Sequence, residues 1–591
     1  MCGIIGSYRT SGFANEFSLQ AIHHRGPDSQ GQFRSPNSAC WLGHTRLSIV
    51  ELSPAGHQPM SDHSGRYTVV FNGEIYNHQS VRSSLKFGKW RGHSDTETLV
   101  ESWAELGEEC LNSFRGMFAF AIYDQQDHVL CLVRDRFGIK PLYYRAEANE
   151  LTFASEVRAL NGGSHVTLSE ESIATFLSFG RLPSEGFLGS GITSLPVGSI
   201  LRLDCDGLQT VKKWWDFQGE VHASREVDEI SAKSHVLQLV ESSVREHLLS
   251  DVPVGCFLSG GIDSSIIALT AAKYASEPLR TYTVVFDDVE FDERQYAKDV
   301  AKIVGADHHE ILLNDKQCLD WVVESVAAMD CPSADAINTY IVSKAVANAG
   351  IKVTLSGLGS DEIFGGYASF RTVSKLKWMN LLPNSVRNAL LRFGPTRLSE
   401  KVSDCPSTDP FSLDIACRRW MDSQTLKKFG LNADPIVPTP KLHGGDLFSK
   451  ISDAEIHGYM EPMLLRDSDQ MSMAVSIELR VPFLDHRLVS YVVGLPSKLK
   501  NTRIRKMLLV DAFRDVLPEQ VWNRPKMGFA LPMSKWMNGP LKSFVEEGLR
   551  HSAGILNEKK IRETEKKFIA GKVHWTRLWS IVVLGHYLKR S

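Results

Sequence analysis

The stretch Val254-Gly255-Cys256-Phe257-Leu258-Ser259-Gly260-Gly261-Ile262-Asp263-Ser264-Ser265 decides how the second half of this chain is read. An apolar run of strand length enters a glycine turn and leaves it into an apolar segment of helical length, the opening of an α/β unit. Backbone N–H groups at such a helix start carry the positive end of the peptide dipoles, so the turn is a ready anion site. The Gly-x-x-x-x-Gly-Lys-Ser/Thr grip on β- and γ-phosphates occurs nowhere in the sequence. Nor does Gly357-Leu358-Gly359 continue to a third glycine, because Glu362 stands in its place. Asp263 inside the turn would repel phosphate unless a cation lay between them. That points to Mg²⁺, a hard ion held by one or two carboxylates together with phosphate oxygens. For Ser259-Gly260-Gly261 alone, a tight strand-to-helix turn capped by Ser and Asp is the better reading.

Working outward, the alternation continues. A helix over 264–274, a strand over 281–286, a helix over 293–304, a strand over 310–313, two helical stretches and a strand over 352–355 predict a parallel sheet flanked by helices. Beyond about residue 370 the chain reads as mainly helical. The first half has another rhythm. Strands are expected over 3–8, 42–50, 67–71, 118–123, 129–133 and 151–154, with helices near 81–85 and over 96–106, the latter opened by Ser94-Asp95. Such a succession predicts stacked antiparallel sheets with helical cover. The polar stretch at 216–229 marks the join, so the expected division is 1–215, a linker over 216–232, and 233–591.

Composition agrees with more than one domain. The chain has 591 residues, 43% of them hydrophobic and 23% charged, which excludes wholesale disorder. Lys+Arg 66 against Asp+Glu 69 leaves a net charge of −3, so no global field draws it to nucleic acid or an anionic membrane. No apolar run approaches the roughly 18 residues of a membrane span. The 10 cysteines include no Cys-x-x-Cys pair. With no basic flank at Met1-Cys2-Gly3-Ile4-Ile5-Gly6, the expectation is a cytoplasmic protein.

Cys2 is the first candidate nucleophile. An arbitrary cysteine in a first strand is a small buried hydrophobe. At position 2, removal of Met1 would place a free α-amino group, with a pKa near ~8, beside the thiol. One residue would then supply both nucleophile and base. Asn72-Gly73, at the end of an expected strand, pairs an amide side chain with an unhindered N–H. That is either an oxyanion hole or an Asn-Gly hairpin turn.

Several strings occur in order: Met1-Cys2-Gly3-Ile4-Ile5-Gly6, His24-Arg25-Gly26-Pro27-Asp28, Gly43-His44-Thr45-Arg46-Leu47-Ser48-Ile49, Asn72-Gly73-Glu74-Ile75-Tyr76-Asn77, Ser94-Asp95-Thr96-Glu97 and Asp135-Arg136-Phe137-Gly138-Ile139-Lys140-Pro141-Leu142-Tyr143-Tyr144. Together they closely resemble the glutaminase domain of class II glutamine amidotransferases. The resemblance implies an N-terminal-nucleophile hydrolase of αββα sandwich type. It implies Arg46 on the glutamine α-carboxylate, with Ile49 and Val50 beside it, Glu74 and Asp95 on the α-amino group, and Asn72 with Gly73 as the oxyanion hole. The chemistry agrees, since a guanidinium matches a carboxylate and carboxylates suit an ammonium.

The string at 254–265 resembles the PP-loop of ATP pyrophosphatases, and Leu355-Ser356-Gly357-Leu358-Gly359-Ser360-Asp361-Glu362-Ile363-Phe364-Gly365-Gly366-Tyr367 resembles its companion loop in asparagine synthetases. By that resemblance Leu258, Ser259, Gly260, Gly261, Asp263, Ser264, Val284, Ser356 and Gly357 contact ATP, and Asp263 with Asp361 holds Mg²⁺. Glu478-Leu479-Arg480-Val481-Pro482-Phe483-Leu484-Asp485 matches another signature of that family, and Lys526 falls where it has a catalytic lysine. The implied reaction adenylates a carboxylate, L-aspartate by first choice. Ammonia from L-glutamine, carried through an internal channel, would then convert the adenylate to the amide. Family members pair as homodimers, so a homodimer is expected. One position departs. The family carries a glutamate where this chain has Leu358. Either a nearby carboxylate, Glu478 or Glu362, takes its proton-handling role, or the acceptor is another acid such as a sugar uronate or a cell-wall or natural-product acid. A stand-alone glutaminase with a C-terminal binding module is the alternative of a different class.

Overall fold

The computed structural model describes residues 2–590 except 148, 165, 222–226, 287–292, 377–408, 501–504 and 525–530. In the first half two antiparallel sheets face each other. One runs Gly186–Gly189, Ile192–Ser194, Tyr143–Glu147, Glu150–Ala154, Cys2–Arg9, Cys40–Arg46, Ser29–Arg34. The other runs Gln209–Lys213, Ser199–Leu203, Val129–Arg134, Gly116–Asp124, Tyr67–Ile75, Met60–Ser61. Between them lies one apolar layer, with Ile4, Tyr8 and Leu42 from the first sheet against Val70, Ala119, Ala121 and Leu132 from the second. Alternate residues face outward, where Val69, Phe71, Phe118 and Phe120 meet Leu99, Val100 and Trp103 of the helix Asp95–Leu106. On the opposite flank Ile5, Trp41 and Ala154 pack with Ile173, Phe176 and Leu177 of the helix Glu170–Phe179. Both faces of each sheet are covered, giving the αββα order and explaining why these strands read as apolar runs rather than clean alternations.

The second half carries a five-stranded parallel sheet in the order Asp307–Leu313, Arg280–Phe286, Val254–Phe257, Val353–Leu355, Glu478–Arg480. The chain leaves Val254–Phe257 toward one edge and returns on its other side at Val353–Leu355. Strand order therefore reverses at that central strand, and the crevice at its C-terminal end is where open α/β sheets bind ligands. Among the described residues, the regular elements after the helix Ser360–Phe364 are helical, as expected, apart from the strand Glu478–Arg480.

Several elements differ from the sequence reading, those that bear on the sites among them. The strand expected over 42–50 ends at Arg46, because the guanidinium of that residue gathers the carbonyls of Val50, Glu51 and Ser53 and wraps the chain around itself. The strand expected over 67–71 continues to Ile75, carrying Asn72 and Gly73 inside the ladder opposite Ala119 and Phe118. This excludes the hairpin turn. Glu478–Arg480 is a strand of three residues, too short to leave a periodic signal. It joins the sheet through Glu478 N–H donating to Lys352 O at 2.7 Å. Part of the expected linker is folded: Phe217–Glu220 is a helical turn, and Trp215 and Phe217 are buried against Phe137.

Candidate active sites

Cys2 opens its strand opposite Arg46 and is buried. Its backbone nitrogen donates to Asn72 Oδ1 at 3.1 Å, which reaches from the facing sheet. The other end of the amide, Asn72 Nδ2, is buried with no acceptor among the described residues. A buried, unpaired donor costs stability, so its presence marks a place where another acceptor belongs. Gly73 follows, and a β-carbon there would collide with Met117 O, so no side chain can shield its neighbourhood. Burial pushes the Cys2 thiol up, against a hydrogen bond from Leu47 N–H and the positive charge of Arg46. Cys2 at rest is therefore a thiol, which would need a base to act as a nucleophile.

Glu74 and Asp95 form a buried carboxylate pair at the end of the same strand. Burial, then the neighbouring Asp95, raises Glu74 well above the carboxylate range, and burial lifts Asp95 to about 6 although Ile75 N–H donates to it at 3.0 Å. Two carboxylates in one dry place cannot both stay ionised without a cation. Arg480 Nη2, 3.4 Å from Glu74 Oε2, supplies one positive charge beside them. Arg46 is held by backbone carbonyls, and Gly56 gives it room, since a β-carbon at Gly56 would meet its Nη2. Ile49 is buried and Val50 half-buried in the following turn, which is pinned to the other half by Glu51 N–H donating to Asp251 Oδ2 at 2.7 Å and Asp251 N–H to Ile49 O at 2.9 Å. The structure thus brings together every expected glutamine-site residue.

At the second site the PP-loop string forms the predicted turn from strand Val254–Phe257 into the helix Ile262–Tyr274. Gly260 has φ +70°, and a β-carbon there would lie 2.6 Å from Tyr296 Cβ. Ser259 N–H donates to Ser264 Oγ at 3.2 Å and Gly261 N–H to Ser259 Oγ at 3.3 Å, closing the loop on itself. Thr283 Oγ1 donates to Leu258 O. Val284, half-buried, is next along that strand. The companion loop lies directly against the first, since a β-carbon on Gly357 would stand 2.6 Å from Asp263 Cβ. Ser356 N–H donates to Arg480 O at 2.9 Å. Asp263 and Asp361 converge on one cation position, both within salt-bridge reach of Lys506 Nζ, at 2.7 and 2.6 Å. Among the described residues no three acidic, His or Cys side chains cluster as a metal cage. Two carboxylates alone fit Mg²⁺, which completes its shell with water and phosphate oxygens. Lys526 lies outside the described residues.

Glu478 is not where the sequence reading put it to work. It is fully buried and pairs with Arg480 Nε at 2.6 Å, and Arg480 Nη2 reaches Glu74 Oε2 at 3.4 Å. Burial would raise this carboxyl, but the positive charges of Arg480 and Lys140 hold it below the usual carboxylate range. A carboxylate kept that acidic is a poor proton acceptor, and the groups that feel its charge (Cys2, Glu74 and Asp95) belong to the first site. Glu362 differs. It is buried, accepts from Tyr367 OH at 2.7 Å, and has Oε2 without a partner among the described residues. Burial, then Asp361, lifts it to about 7. Leu358, half-buried, packs against the apolar core beneath the sheet.

Sequence reasoning missed what joins the two sites. Arg25, fully buried, donates to Cys2 O at 3.2 Å, to Glu156 at 3.1 Å and to Asp469 at 2.8 Å on the helix Arg466–Met473. Lys140 reaches the other oxygen of Asp469 at 3.2 Å. Arg25, Lys140 and Arg480 all lie in quoted strings; only their long-range partners were invisible. Arg524, two residues before Lys526, had no role in the sequence reading. It donates to Gly260 O at 2.9 Å and pairs with Glu293 at 3.1 Å, bracing the loop from outside.

Comparison with known proteins agrees with this layout. Residues 1–215 match a glutamine amidotransferase domain, and residues 235–589 match asparagine synthase. A glutamine-hydrolysing asparagine synthetase of Bacillus subtilis is 32% identical over 578 residues, covering 93% of this chain and 90% of its own. A second from that organism is 30% identical, covering 85% and 82%. An amidase of Gibberella zeae is 28% identical, covering 90% and 87%. The first half is thus a glutamine amidotransferase domain with αββα layering, fused to a parallel-sheet synthase domain. The chain belongs to the asparagine synthase family.

Proposed function

We propose that this enzyme hydrolyses L-glutamine at Cys2, adenylates L-aspartate with ATP at the PP-loop, and joins the ammonia to the adenylate, giving L-asparagine, L-glutamate, AMP and pyrophosphate. The observation that carries the reading is the pairing of the unpartnered Asn72 Nδ2 beside Cys2 with the convergent Asp263 and Asp361 beside a phosphate-type loop, in halves joined by buried ion pairs. With Met1 removed, the new α-amino group lies on Asn72 Oδ1 and takes the thiol proton. Sulfur attacks the glutamine amide carbon, and Asn72 Nδ2 and Gly73 N–H receive the oxyanion. Ammonia leaves, and water cleaves the thioester to glutamate. At the second site the acceptor carboxylate attacks the α-phosphorus and pyrophosphate departs. Mg²⁺, held by Asp263 and Asp361, would neutralise the phosphate charge. Ser259, Gly260, Gly261 and Ser264 bind the departing pyrophosphate, Leu258, Val284, Ser356 and Gly357 hold the nucleoside side, and Lys526 meets the charge that develops at phosphorus. Ammonia attack on the adenylate leaves a proton to be taken. Glu362, with its free oxygen, replaces the missing family glutamate, and Glu478 positions Arg480 and Glu74 at the glutamine site.

Leu358 favours a second reading, in which the acceptor is a carboxylate other than aspartate. The amidase relative supports it. An acceptor screen that follows AMP release separates the two. Aspartate-dependent AMP formation supports asparagine synthesis, and AMP formation only with other acids overturns it.

A further inference from the structure

Lys506 does something that none of the family strings accounts for. In sequence it ends the basic run Arg503-Ile504-Arg505-Lys506, which reads as a solvated patch. In the fold its side chain is only 4% exposed. Its Nζ stands 2.7 Å from both oxygens of Asp263, 2.6 Å from Asp361 Oδ1 and 2.8 Å from Ser360 Oγ. It holds this position from a left-handed backbone, φ +53° and ψ +32°, at the cap of the helix Met507–Ala512. A non-glycine residue there is unfavourable unless its surroundings fix it. Gly366 makes the room, since a β-carbon there would collide with both Asp361 Oδ1 and Lys506 Cε. Behind the lysine is a cavity of about 90 Å³ lined in part by Gly365, Phe370, Phe448 and Arg371.

An ammonium at hydrogen-bond distance from both carboxylates fills the position a divalent ion would take. Mg²⁺ needs the same oxygens at roughly 2.0–2.1 Å, and the two cations cannot share them. We infer that Lys506 and the divalent ion compete for Asp263 and Asp361, so that metal–nucleotide entry requires the ammonium to leave, and the site excludes free metal until phosphates arrive to complete the metal shell and receive the lysine. This rests on the reading of Asp263 and Asp361 as the magnesium carboxylates.

The test uses the full-length protein and Mn²⁺ as an EPR probe, with α,β-methylene-ATP as the nucleotide. Without nucleotide, Lys506→Met is expected to bind Mn²⁺ roughly tenfold or more tightly than wild type, because removing one partner leaves buried charge in search of a cation. Lys506→Arg, which keeps the charge, is expected to behave as wild type. In thermal melts Lys506→Met is expected to unfold below wild type in chelator and to recover with Mg²⁺, whereas wild type does not respond. Equal Mn²⁺ binding by wild type and Lys506→Met, or no metal response of the variant in either measurement, overturns the competition. The magnesium reading is checked separately. If Asp263→Asn still forms the Mn²⁺–nucleotide complex as wild type does, that reading fails and the competition with it. If the complex is lost in Asp263→Asn while Lys506→Met gains nothing, only the competition fails.

Discussion

Around Cys2 the reacting groups stand on strands; around Asp263 they stand on loops. Cys2, Arg46, Asn72, Gly73 and Glu74 all belong to strands of two sheets locked face to face by a buried apolar layer. Asp263 sits in the first turn of a helix, Asp361 in a helix of five residues, and the loops ahead of them hold each other by close glycine contacts and by a lysine. The difference separates two ways of preparing a site. A sheet can hold an unpaired donor such as Asn72 Nδ2 in place at the cost of a lost hydrogen bond. The convergent pair Asp263 and Asp361 is instead held together by the ammonium of Lys506. The first site should therefore fail through rate when a residue is changed, and the second through binding and adenylation.

The sharpest way to break that comparison is at the nucleophile. Cys2→Ala should remove glutamine-dependent synthesis by at least roughly 10³–10⁴-fold while synthesis from ammonium salts persists, measured as AMP release with each nitrogen source. Retained glutaminase activity would displace Cys2 from its role. Asn72→Ala should lower glutaminase kcat by about 10²–10³ with a smaller change in KM, the pattern of a donor used only in the transition state. On the other side, Asp263→Asn should stop pyrophosphate release from the adenylation step and leave glutaminase within a few-fold of wild type.

Glu478→Gln and Glu362→Gln sharpen the comparison further. With Glu478 paired to Arg480 beside Glu74, its loss should raise the glutamine KM and spare ammonium-supported synthesis. Glu362→Gln should slow amide formation from either nitrogen source by about 10²-fold, with ATP–pyrophosphate exchange nearly intact. The reverse pattern would return the proton-taking role to Glu478.

The smallest effect is one of pH. Asp95 is lifted to about 6 by burial, so below that pH it carries a proton and loses its hold on the glutamine ammonium. Titration of the α-amino base gives kcat/KM for glutamine a limb of slope one below about 8, and below about 6 protonation of Asp95 should add up to roughly a further tenfold per unit. A profile that does not steepen near 6 would remove Asp95 from substrate binding.

What the sequence disclosed follows the same division. Cys2 stood out because a cysteine in second position can carry its own base, and Asn72-Gly73 stayed open between an oxyanion hole and a hairpin turn until the strand was seen. The roles of Arg46 and Asp95 came only from the resemblance; the strand-to-helix turn at 258–264 was legible from its glycines. Glu478 was assigned to the wrong neighbourhood because its partners, Arg480 and through it Glu74, are brought together only by a three-residue strand at the sheet edge. Lys506 left no signal, since one lysine in a basic run is indistinguishable from a solvated one until the fold buries it. The strand expected to continue to Val50 ended at Arg46 for a related reason, a side chain gathering backbone carbonyls that no periodicity reports.

The coupling of the two sites is tested most directly by supplying wild-type enzyme with amide-¹⁵N glutamine, ATP, Mg²⁺ and aspartate, and following glutamate, AMP and labelled product together. Two linked sites should give one AMP and one ¹⁵N-asparagine for each glutamate formed. Glutamate accumulating without AMP or labelled amide, with aspartate or any other carboxylate, would show a glutaminase whose second half does no chemistry.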